Sequence, residues 1–245
     1  MKKNRLQIGL LILTCLFFLY FGFRFQLTPY QMKQDFSDSL LYFIVGGFVT
    51  SGRIMSSLII ASLFWGISGV VGGIFTRFIK QVSFLLNSIL VIPIITFFPL
   101  LILWTDKNIV ALILFCSLLV GVYLALPIRE AIIKLPKDYV IVAGNLQFTP
   151  YMWLVEVIIP TILPHFFTGL RISMSIATVY FFLLEIYSLQ SGLAYAIYMS
   201  FKQSQTLEAA IAMLFFILFM LMLRYLIHKL QVFLMPWEYY FRKQV

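Results

Sequence analysis

The chain has 245 residues, 62% of them hydrophobic and 11% charged, with a mean hydropathy of +1.00. A water-soluble domain of that composition lacks the polar groups to cover its surface, so a soluble enzyme or binding module is excluded. The net charge of +9 reads as anchoring at a membrane and not as nucleic-acid binding, because Lys and Arg fall in the gaps between long apolar runs.

Taken in chain order, the apolar runs predict six membrane spans. The first, Leu6 to Phe23, follows a basic start, and the bulky stretch after it offers no small-residue cleavage site, so it reads as a retained anchor. The second, Met55 to Phe75, carries Ser62, Gly66, Gly69 and Gly73 at helical spacing, which lets another helix approach closely. The third, Phe84 to Trp104, contains Pro93 and Pro99, so a kinked span lining a cavity is expected there. The fourth, Ile109 to Leu126, ends at Pro127. The fifth covers about Phe166 to Tyr187 and the sixth about Ala209 to Leu230. Residues 1–54 form an anchor helix with an outer segment, and 55–245 a core domain.

Six spans put both termini on one side, and that side holds thirteen of the 18 Lys and Arg residues. The positive-inside rule places both termini, and the polar stretch 128–164 between spans four and five, in the cytoplasm of a cell-membrane protein. A loop of that length in a compact protein carries a function. It reads as two short amphipathic helices, about Lys137 to Leu146 and Tyr151 to Ile159, with Pro160 and Pro164 breaking the chain before the fifth span. Such a pair either docks on a soluble partner or lies on the lipid surface.

Chemistry-bearing residues are few. Cys15 and Cys116 lie inside apolar runs, and His165 and His228 stand apart, so neither a disulfide nor a metal site is expected. No G-x-x-x-x-G-K-[ST] loop occurs, and no Ser/His/Asp set, so the chain is expected to bind no cofactor and to catalyse no reaction itself. Glu185 is an intramembrane carboxylate, either structural or in contact with substrate. Arg53, at the outer mouth, reads as a snorkelling anchor in preference to a contact for an anionic substrate. Pro93, Pro99, Tyr180, Glu185 and Tyr187 are the candidate residues of a translocation path.

The segment Ile158 to Arg171, with Pro160, Pro164, Gly169, Leu170 and Arg171, resembles the end of the EAA loop of binding-protein-dependent ABC importer permeases. Glu185 followed by Gly192-Leu193-Ala194-Tyr195 is similar to that family's E-x(6)-G-L-G-Y. Ile92-Pro93 and Pro99-Leu100 through Trp104 resemble the corresponding stretch of permeases for nitrate, sulfonates, taurine and thiamine precursors. The likeness runs collinearly over about Met55 to Trp237. It implies an all-α integral membrane protein of the type I importer permease fold, with six transmembrane helices and a cytoplasmic coupling-helix loop. It further implies two ATPase subunits that bind ATP and Mg, an extracytoplasmic substrate-binding protein, and a second permease copy, identical or not, within the lipid bilayer. The substrate implied is a small organic anion or heterocycle. Ile141, Ala143, Gly144, Gln147, Trp153, Pro160, Pro164 and Gly169 become the candidate ATPase-coupling residues. The family's leading Glu falls on Ile141 and its glycine on Gln147, a departure that points to a diverged ATPase or to pairing with a more typical permease. The rival reading is a membrane scaffold or insertase-like factor that recruits a cytoplasmic partner without a solute path.

Overall fold

In a computed structural model of the chain, the described residues are 36–74, 98–105 and 108–237, with isolated positions at 13, 16, 20, 88 and 96. The expected first span and most of the third, including Pro93, lie outside them. Every regular element among the described residues is helical: α1 (Phe36–Ile74), α2 (Phe98–Thr105), α3 (Ile109–Ile133), α4 (Lys137–Asn145), α5 (Pro150–Leu189), α6 (Leu193–Lys202) and α7 (Thr206–Leu234). Four of these, α1, α3, α5 and α7, are long and apolar enough to cross a bilayer.

Helix α3 is the hub. The Asn108 side chain accepts from the Val110 N–H at 3.0 Å and starts it. Contrary to the expected stop at Pro127, the helix continues to Ile133. Proline removes the bond to the Tyr123 carbonyl but not the helical φ, and packing on both sides holds the rest. On one side, a Cβ added to Gly169 of α5 would stand 3.0 Å from the Tyr123 oxygen and the Leu124 Cα. On the other, a Cβ on Gly69 of α1 would stand 2.9 Å from the Ala125 oxygen. Two glycines thus bring α1 and α5 against the backbone of α3 at one level. Ser173 of α5 donates to the Val120 oxygen at 2.8 Å just above. The main core lies between these three helices, around Leu112, Ile113, Leu124, Phe167 and Phe181.

Helix α5 corrects the expected break at Pro160 and Pro164. It is one 40-residue helix, about 60 Å long. Thr149 caps it, and Pro150 occupies the first turn. The stretch Trp153–Ile158 is wound as a π-helix. That wider turn lies directly before Pro160 and gives its ring the room it would otherwise contest with the Glu156 carbonyl. The helix is twice the thickness of a hydrocarbon core, so it spans the membrane and projects beyond it. Helix α1 likewise begins at Phe36, well inside the expected outer segment 24–54. Pro99 is the second residue of α2 and exposed, where proline starts a helix instead of kinking one.

The expected outer loop between spans five and six contains α6. This helix inserts Leu193, Ala196 and Ile197 into a second core with Phe43 of α1 and Ala212 and Phe219 of α7.

Candidate functional site

Two features stand at opposite ends of the long helices. The first is a buried polar cluster where α1, the end of α5 and the start of α6 meet. Thr50 and Arg53 lie one turn apart on α1 and face Glu185 on α5; all three are 2% exposed or less. Arg53 Nη1 donates to Glu185 Oε1 at 2.7 Å, and to the Ser191 carbonyl at 3.3 Å. Its Nη2 donates to Ser191 Oγ at 3.2 Å. The Thr50 hydroxyl reaches the same carboxylate at 2.8 and 2.9 Å and accepts from the Leu193 N–H at 3.1 Å. The Ala194 N–H donates to Glu185 Oε2 at 3.1 Å. The carboxylate thereby takes up a first-turn N–H of α6 as well as the guanidinium, and the positive end of that helix faces a negative charge.

The backbone is shaped for this contact. Residues Glu185–Leu189 are π-wound, Gln190 is left-handed at φ 49°, and Gly192 has φ 103°. A Cβ on Gly192 would overlap the Glu185 carboxyl group, and L side chains rarely adopt its φ, so glycine is what admits the carboxylate here. Arg53 is therefore not a snorkelling anchor at the outer mouth. The cost of an unpaired guanidinium in a low-dielectric interior places it against the carboxylate. Thr50 and Ser191 were not singled out from sequence. The signal that would have found them is two opposite charges on separate spans, each needing a partner.

The second feature is the loop helix α4. It ends in a turn in which the Phe148 N–H bonds the Ala143 carbonyl at 3.0 Å and the Gln147 N–H bonds the Gly144 carbonyl at 3.1 Å. This is a Schellman closure, and its left-handed position is Gln147, at φ 52°. The resembling family carries glycine at this position, for which the left-handed backbone is a physical reason. Ile141, Val142 and Leu146 are 59%, 53% and 61% exposed and lie on one side of α4 and its end. Gly144 and Gln147 are exposed as well, with open space around Gly144. Ala143 is buried, so it packs within the chain and is not itself a surface for a partner. Trp153 is half-buried and packs on the main core. Pro160 and Pro164 sit inside α5, and Gly169 packs on α3.

The described candidate path residues occupy different surroundings. Tyr180 is 3% exposed and packs edge-on to Phe181 at 5.5 Å, Glu185 belongs to the ion pair, and Pro99 and Tyr187 are exposed. No group of three or more His, Cys, Asp or Glu residues able to hold a metal occurs among the described residues.

Long apolar helices packed through glycine, with a short helix on the α3–α5 connection, define an all-helical multi-pass membrane protein among the described residues. The sequence matches the family of binding-protein-dependent transport system inner membrane components over residues 66–237, well over half its length, and the chain belongs to that family. It is 28% identical over 135 residues to a probable ABC transporter permease protein of Haemophilus influenzae, covering 54% of each chain. It is 30% identical over 87 residues to the bicarbonate transport system permease protein CmpB of Synechocystis sp., covering 35% of this chain and 31% of that one. The match thus spans about half the length of the first relative and a third of the second.

Proposed function

We propose that the chain is the permease subunit of an ABC importer that pairs with a second permease copy and takes its driving force from two separate ATPase subunits docked on α4. The observation that supports this reading is the exposed apolar side of α4, with Ile141, Val142 and Leu146, on the connection between α3 and α5. Exposed apolar residues on a short helix facing water fit a groove on a soluble partner. ATP and Mg are held by that partner. An external binding protein delivers the substrate to the opposite face, where α6 lies. The substrate class is a small anion or heterocycle. The likeness to a protein named as a bicarbonate permease supports the anion. ATP-driven closure of the ATPase pair is passed through α4 into α3 and α5, which flank it in the chain.

The test is Ile141→Asp combined with Leu146→Asp. Both side chains are exposed, so the protein should insert and purify normally while co-purification of the ATPase and ATP-driven uptake fall at least tenfold. Unchanged complex formation places docking elsewhere. Complex formation without solute flux supports the scaffold reading instead.

A further inference from the structure

Between α5 and α7 lies a groove of about 550 Å³, lined along one wall by Arg171, Ile172, Met174, Ser175 and Thr178 and along the other by Phe216 through Arg224. Its two charges stand at one end. Arg171 is 18 residues from Leu189, the far end of α5, and Arg224 is 18 residues from Thr206, the far end of α7. At the rise of an α-helix both lie about 27 Å from that end. In a hydrocarbon core of about 30 Å this is the head-group level on the face that carries α4. Tyr225, His228 and Lys229 follow on α7, with Lys229 Nζ 5.3 Å from the centre of the Tyr225 ring, as at a membrane interface. From the arginines the groove runs toward the membrane centre between Ile172, Phe216, Ile217 and Met220. The hydroxyls in it are already engaged, Ser175 with the Arg171 carbonyl and Thr178 with the Met174 carbonyl and, across the groove, with Met220 Sδ. Its polarity is therefore concentrated in two guanidiniums at one end.

Nothing described on these helices neutralises that end. Arg171 bonds the side-chain oxygen of Gln231, which is uncharged. The carboxylates of α5 and α7 are Glu156, Glu185 and Glu208. Glu185 is committed to Arg53, Glu208 is in the first turn at the opposite end, and Glu156 is 15 residues from Arg171, about 22 Å along the helix. A second copy meeting this face symmetrically would set arginine against arginine. Among the described residues of these two helices no carboxylate stands beside the guanidiniums, and an anion at head-group depth with an apolar body that follows the groove would complement them.

We propose that this groove is a binding site for one anionic phospholipid of the α4-side leaflet, its phosphate between Arg171 and Arg224 and an acyl chain along Ile172, Ile217 and Met220. Two guanidiniums hold a phosphate by charge-assisted bonds, and basic pockets between spans are suited to anionic head groups. The assignment does not depend on the transport reading.

The experiment is native mass spectrometry of the purified full-length chain, titrated with phosphatidylglycerol or with phosphatidylcholine of the same acyl chains. One phosphatidylglycerol should be retained at least tenfold more tightly. Arg171→Gln with Arg224→Gln should bring the two lipids to within twofold, whereas Arg224→Lys should keep most of the preference. Should the double variant not purify, Arg224→Gln alone changes an exposed position and should lower the preference at least threefold. Equal retention of the two lipids by the unaltered chain overturns the site, as does a preference unmoved by Arg224→Gln. Inorganic phosphate or methanesulfonate that binds at millimolar concentration and displaces the lipid would make this a solute-anion site, and that result also overturns the lipid assignment.

Discussion

Glu185, Arg53 and Thr50 form a closed unit in which each charge is acceptable only because the other is there. Breaking a buried pair from one side strands a charge and costs about 3–5 kcal/mol, whereas replacing both partners by apolar residues is often close to neutral. Arg53→Met is therefore expected to lower stability in mixed-micelle unfolding by roughly that amount. Arg53→Met with Glu185→Leu should recover more than half of the loss. A double variant no more stable than the single one would show that the hydrogen bonds to Leu193 and Ala194, and not charge balance, hold the site. Gly192→Ala should be as damaging as Arg53→Met, although it removes no contact, because the methyl group would occupy the position of the carboxylate. Sequence made Glu185 legible as an intramembrane carboxylate. It left Arg53 in the wrong role, because the two lie 132 positions apart and no local pattern links them.

At the scale of the element, the informative positions are helix ends. Both α4 and α6 close on a left-handed residue that is not glycine, Gln147 at φ 52° and Ser204 at φ 61°. An L-residue there costs about 1–2 kcal/mol relative to a relaxed backbone, with β-branched side chains worse. Gln147→Gly should leave the 137–149 segment as resistant to protease in membrane vesicles as before, or more so. Gln147→Val should open it to cleavage several-fold faster. Equal cleavage of all three would mean that the turn does not hold the loop. The expected spans two, four, five and six exist as helices, yet each runs past its expected bounds. Hydropathy marks where a helix is in contact with lipid or core, and it stops registering when the same helix continues into water, as at 150–165. Proline misled at 127 and 160 because its cost is offset by features invisible in composition: facing glycines of α1 and α5 at the first and a π-turn at the second.

For the whole molecule, the distribution of basic residues predicts a definite orientation. With Cys15 and Cys116 replaced by Ala, a single cysteine at Lys202, on α6, should react with an impermeant thiol reagent in intact cells, and one at Lys134, before α4, should not. The reverse result would place α4 outside and remove the basis for ATPase coupling. That the chain is an all-helical, multi-pass permease followed from the sequence alone. Length, apolar runs and collinear motifs are properties of neighbouring residues, and a membrane span satisfies its backbone hydrogen bonds within itself. Which polar groups meet is a different matter. The pairing of Arg53 with Glu185, the burial of Ala143, the insertion of α6 between α1 and α7, and the gathering of Arg171 and Arg224 at one level all depend on contacts between helices far apart in the chain. The worth of such contacts is set by burial and distance in three dimensions, and only the packed structure supplies those.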